Sequence, residues 1–160
     1  MNAGDVLKYG HLWVHKHLEG LTDEEWETPG VCGWWSVREI MAHLTSFEQV
    51  LVEVLNGFID SQPTPTLDQY KTMNGDKFNE VQVNLRKDKS PSQVLEEYDR
   101  LHEQVRQLMP KIPIATLRQA GAIPEYGMEY DVEDFLVYSF YGHKREHCAQ
   151  IAMYRDKLGK

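Results

Sequence analysis

The sequence predicts an all-α fold, a four-helix bundle with long connections. Three observations carry this. Four segments repeat their apolar residues with a helical period, two of them open on capping-box sequences, and period-two alternation is almost missing.

The first helix is expected over about residues 5–18, where Leu7, Val14, Leu18 and Leu21 share one stripe, with Gly10 and His11 beside it. Thr22-Asp23-Glu24-Glu25 can start a short extra turn before Pro29-Gly30 breaks the chain. The second long helix opens at Ser36-Val37-Arg38-Glu39, with Ser36 as N-cap, Glu39 reaching back from the third helical position, and Trp35 placed to staple onto Ile40. Val37, Ile40, Leu44, Phe47, Leu51, Leu55 and Phe58 form its apolar face, and it ends before Gln62-Pro63-Thr64-Pro65.

Residues 66–88 carry a weaker pattern: Asn74-Gly75 reads as a turn, 76–85 as a short helix, and 81–83 hints at strand. The third long helix opens at Ser90-Pro91-Ser92-Gln93, follows a stripe of Val94, Tyr98, Leu101, Val105 and Leu108, and stops at Pro110 and Pro113. Residues 110–130 are rich in Pro and Gly and read as a lid-like loop, with a second hint of strand at 112–116; both hints are too short to build a sheet. The fourth helix is expected from near Asp131 to about Leu158.

At 160 residues the chain is expected to be one domain, 1–160, large enough for a core without disulfide staples. A net charge of −8 argues against a nucleic-acid backbone or an anionic membrane as partner and leaves a small molecule. Cys32 and Cys148 have no CxxC spacing, no run approaches an uncharged membrane span, and Met1-Asn2-Ala3-Gly4-Asp5 does not open a signal peptide. A cytoplasmic protein is expected.

The chemistry concentrates near the C-terminus. His143 and His147 stand one helical turn apart and differ by about 40° around the helix, on the same stripe as Val132, Leu136, Ser139, Gln150 and Tyr154. Two imidazoles so placed can share one metal ion, with Ser139 and Gln150 as polar supports. They can equally be half-buried histidines bonded to neighbouring side chains. His43, near the edge of the second helix's apolar face, is a candidate third ligand, and three histidines leave a position open for chemistry. His11 and His15 repeat the spacing, with His17 close behind. His11 and His17 fall at opposite margins of the stripe and His15 turns away, so these are expected as surface or margin residues.

The run Cys32-Gly33-Trp34-Trp35-Ser36-Val37-Arg38-Glu39-Ile40-Met41-Ala42-His43-Leu44 resembles a helix start of the DinB/YfiT-like superfamily. His143-Lys144-Arg145-Glu146-His147 followed by Gln150-Ile151 resembles its C-terminal helix, in the right order and at the right distance. The Cys32-Gly33 lead and the Ser90-Pro91 helix lean toward the ClbS/DfsB-like branch. The resemblance implies a DinB/YfiT-like bundle and a divalent metal, zinc or nickel, on His43, His143 and His147. Its members include thiol-dependent transferases and isomerases and a resistance protein, so a low-molecular-weight thiol is an implied co-substrate. Family resemblance gives a site and leaves the reaction open.

His143 to His147 also fits the H-x-x-E-H pattern of inverted zinc proteases, with Glu146 as base. Only thirteen residues follow His147 to supply a further ligand, and Glu146 lies about 60° from His143 and about 100° from His147 on the helix. Glu146 is the candidate catalytic carboxylate, against a plain solvated charge. Glu48, on the inward half of the second helix, either reaches the cavity or pairs with an Arg or Lys across the bundle. Trp13, Trp26, Trp34 and Trp35 either line a pocket or pack. The expected function is a metal-dependent enzyme of small-molecule chemistry, a hydrolase or thiol S-transferase. The alternative is a non-catalytic binding or sequestration protein. A homodimer is compatible with either.

Overall fold

A computed structural model describes residues 2–160. In chain order the helices are α1 (Ala3–Leu18), α2 (Asp23–Glu27), α3 (Val37–Gly57), α4 (Pro65–Thr72), α5 (Gly75–Asn84), α6 (Pro91–Leu108), α7 (Ile114–Leu117), α8 (Val132–Phe135) and α9 (Gly142–Leu158). A 3₁₀ turn, Met109–Lys111, follows α6, and a π-helical segment, Leu136–Tyr141, joins α8 to α9. The fold is all-α: among the described residues the only β feature is an isolated bridge between Cys32 and Trp35. No helix among them is long and apolar enough to cross a membrane.

The chain forms two compact units. One is continuous, Gly20–Leu108, and holds α2 to α6. Its centre is α3, which packs against α2, α4, α5 and α6. Ile40, Leu44, Leu51 and Leu55 from α3 and Val94, Tyr98, Leu101 and Val105 from α6 are all buried in the core. The helix begins where the sequence says it should. Glu39 Nα donates to Ser36 Oγ at 3.3 Å, and Ser36 Nα donates back to Glu39 Oε2 at 2.8 Å, so two otherwise orphaned backbone donors are satisfied. The same reciprocal box opens α2 at Thr22 and Glu25, and α6 at Ser90 and Gln93. A further lock joins the start of α6 to the end of α5. Buried Arg86 pairs with Glu97 at 2.9 Å, and Lys89 reaches the other Glu97 oxygen at 2.6 Å. Burial works against the Glu97 charge, but these two cations still hold its pKa below the usual carboxylate value.

The other unit, Met1–Glu19 with Met109–Lys160, pairs α1 with α9 and with the π segment. Gly10 allows this close approach: a Cβ there would lie 3.0 Å from the Tyr141 ring. Arg155 on α9 donates to the His17 and Glu19 carbonyls and so caps the C-terminal end of α1. Asp131 and Asp134 form the capping box of α8, the start expected for the fourth helix.

Several local expectations are corrected. Residues 81–83, too short a run to build a sheet, lie within helix α5, and 112–116 run into the helical turn α7. Short runs of Val and Ile carry no period of their own, and apolar burial on a helix satisfies them as well as a sheet. The weak stretch 66–88 contains two helices, α4 and α5. The second long helix ends earlier than its apolar face suggests, at Gly57, with Phe58 at its C-cap. The fourth helix is not uniform. Between Leu136 and Tyr141 it widens, and Gly142 donates to the Val137 carbonyl five residues back.

Candidate functional site

His143 and His147 are brought together in the unit that holds α9. Their Nε2 atoms are 3.0 Å apart and their ring centroids 4.7 Å, nearly edge to face. The regular turn of α9 after Gly142 sets this spacing. His147 Nδ1 lies 2.8 Å from Gln150 Oε1. An amide oxygen only accepts, so Nδ1 carries the proton and the neutral ring turns its Nε2 lone pair toward His143. Without an ion, His143 Nε2–H donates to that lone pair. With an ion, the same two nitrogens become ligands.

The donor set fits a divalent metal on geometry. A tetrahedral ion with bonds of about 2.0–2.1 Å holds two imidazole nitrogens roughly 3.3–3.4 Å apart. The observed 3.0 Å is a few tenths shorter, within reach of a small side-chain adjustment. Electrostatics agree. Burial, the neighbouring His147 and the Lys144 ammonium push the His143 pKa down to about 3. Burial also lowers that of His147, against opposing contributions from Gln150 and the Glu146 charge. Both rings are therefore neutral at neutral pH, the form a metal needs.

His43 is buried on α3, with the ring of Trp35 at 5.1 Å and that of Phe47 at 4.9 Å between centroids. Its backbone carbonyl accepts from Ser46 Oγ at 2.6 Å. Glu48 is also fully buried, and its Oε2 lies 3.4 Å from Nδ1 of His102 on α6. The sequence reading named an Arg or Lys as the alternative partner; the neighbour at this distance is a histidine. Ser139 is half-buried in the π segment and shares a side-chain hydrogen bond with Tyr126. Glu146 is exposed. Of the supports expected for the histidine pair, Gln150 contacts it directly.

His11 and His15 are half-buried, and their ring centroids are 4.7 Å apart. His17 is half-buried too, and its Nδ1 lies 2.8 Å from the Trp13 carbonyl.

Two buried ionisable residues escaped sequence reasoning. His102 stands four residues after Tyr98 on the apolar stripe of α6, and that spacing is the signal that could have found it. Lys144 is 2% exposed, its stem beside Gly10. A lysine within a Lys-Arg-Glu run reads as solvated, so no sequence signal marks it.

The chain is similar to a protein of Bacillus licheniformis named "Putative metal-dependent hydrolase", at 26% identity over 156 residues, which cover 98% of this chain and 84% of the relative. No solved structure matches it. The DinB superfamily model matches residues 14–151, a span that includes the Ser36 helix start with His43 and the paired histidines of α9, and this all-α chain belongs to the DinB superfamily.

Proposed function

We propose that this protein is a divalent-metal-dependent hydrolase of small molecules, with His43, His143 and His147 as the ligands of a zinc or nickel ion. The observation that carries the reading is the His143–His147 pair, neutral, 3.0 Å apart between Nε2 atoms and fixed in tautomer by Gln150. Family membership and the name of the Bacillus licheniformis relative support the chemistry.

Bound there, the ion supplies Lewis-acid polarisation and lowers the pKa of a water or thiol that would otherwise be a poor nucleophile at neutral pH. The protein's own contributions follow from its residues. Gln150 holds the His147 ring against rotation and keeps its Nε2 free of a proton. Trp35 and Phe47 confine the His43 ring between aromatic faces and keep water from it. Neutral imidazoles leave the full charge of the ion uncompensated, unlike thiolate ligands. Glu146 enters as the candidate base, reached from the exposed side of α9.

The thiol-transferase reading shares these ligands and differs in its nucleophile. Metal analysis of untagged protein, followed by turnover of ester and epoxide panels with and without a low-molecular-weight thiol, tests both. Hydrolysis that needs metal and no thiol supports the hydrolase. Turnover that needs the thiol replaces it with the transferase. Metal-loaded protein that binds small molecules without turnover supports sequestration.

A further inference from the structure

Of the four tryptophans, Trp34 is the one that packing does not explain: it is 81% exposed, whereas Trp26 is 5% exposed and in the core. Its backbone is not loose. Cys32 and Trp35 exchange backbone hydrogen bonds of 3.2 and 2.9 Å, Val31 donates to the same Trp35 carbonyl at 2.8 Å, and Gly33 takes the left-handed φ of +59° that this tight turn requires. A rigid turn therefore presents a large aromatic ring to solvent, where it forgoes the burial such a ring normally supplies.

The ring stands at a cleft of about 600 Å³ within the Gly20–Leu108 unit, of the size that takes small organic molecules. Trp35 lines the cleft as well, and Asn79 and Asn84 on α5 offer amide groups. Little net charge is left to select an ion. Arg38 is paired with Glu27 at 2.9 Å and Glu80 with Lys77 at 3.0 Å, while Glu39 is engaged by the neutral donors of the Ser36 cap and keeps its charge. Asp76 and Lys87 add one charge of each sign, so a single negative charge is left over, which disfavours an anionic ligand. Indole faces favour flat π-systems, and amides favour a ligand edge with donors and acceptors.

We propose that this cleft is a binding site for a neutral, planar aromatic molecule with a hydrogen-bonding edge, stacked on Trp34. The site stands on residues of one unit and does not depend on the metal reading.

Cys32 lines the cleft and reports on it. It is half-buried, whereas Cys148 is buried, so a thiol reagent such as iodoacetamide attacks Cys32 first. The experiment uses indole as the planar probe and cyclohexanol as the non-planar control, on the full chain, metal-loaded and after chelation. Saturation-transfer NMR measures binding, and mass spectrometry follows alkylation of Cys32. Indole is expected to bind and to slow Cys32 alkylation at least threefold in both metal states. Trp34→Ala should weaken indole at least tenfold, Trp34→Tyr should retain most of it, and Trp13→Ala should change nothing. Equal binding of cyclohexanol, or undiminished indole binding by Trp34→Ala, overturns stacking. Absence of Cys32 protection in the wild type overturns the location, and that arm decides even if Trp34→Ala folds poorly. Failure to find metal, with indole still protecting Cys32, sinks the hydrolase reading and leaves this one standing.

Discussion

His147 donates its Nδ1–H to Gln150 Oε1 across 2.8 Å, three residues along the same helix, and this one bond decides which nitrogen of His147 is free to bind an ion. A rotated ring or the other tautomer would turn the N–H toward His143 and leave one ligand fewer.

Gln150→Leu should therefore weaken zinc about 10–100-fold while leaving the helix intact. Competition with a chromophoric chelator gives the affinity and circular dichroism checks the fold. An unchanged affinity would mean that the ring is positioned by its packing alone.

Glu146→Gln should leave zinc affinity within about twofold, because Glu146 is exposed and acts on His147 only through its charge. A drop in turnover at unchanged affinity would identify it as the base. A large loss of affinity would show that the carboxylate contributes to the site itself.

The metal-free protein should lose stability as pH falls. The folded His143 pKa is depressed to about 3, from 6.5 for the free side chain. Between those values the unfolded chain takes up a proton that the folded chain refuses, so stability is full above about 6.5 and declines toward 3. The slope from this residue is about 1.4 kcal/mol per pH unit in that window, and His147 adds in the same direction. Urea unfolding of chelator-treated wild type and His143→Gln at several pH values measures it. The variant should show the shallower dependence, and parallel curves would refute the assignment.

Removing Ser36 Oγ should cost about 0.5–2 kcal/mol, and the burial of this cap argues for the upper part of that range. Ser36→Ala in denaturant unfolding checks it. The effect should extend to metal affinity, since α3 carries His43, the proposed third ligand, two turns further on.

His102→Leu should destabilise the Gly20–Leu108 unit, because it removes the imidazole that stands 3.4 Å from the buried Glu48 carboxylate. The double replacement Glu48→Leu with His102→Leu should recover most of that loss. If the two single effects simply add, the 3.4 Å pair is not a coupled one.

Much of this protein was settled by local chemistry. Helix starts at Thr22, Ser36, Ser90 and Asp131 depend on a cap and a partner three residues away, and a short-range rule holds whatever packs outside it. The pairing of His143 with His147 is equally local, since one turn of helix brings them together. Tertiary structure decided what depends on distant partners. Sequence cannot say that Glu48 meets His102, because the residues lie on different helices with no spacing between them to read. Nor can it assign Ser139. The wheel drawn from Val132 to Gln150 assumes 100° per residue, and the π segment at Leu136–Tyr141 breaks that period before His143. Trp34 and Trp35 are neighbours of one residue type, yet one ring is exposed on a tight turn and the other packs on His43. Which way each ring turned was fixed by the Cys32–Trp35 bridge, a backbone event that side-chain identity does not encode.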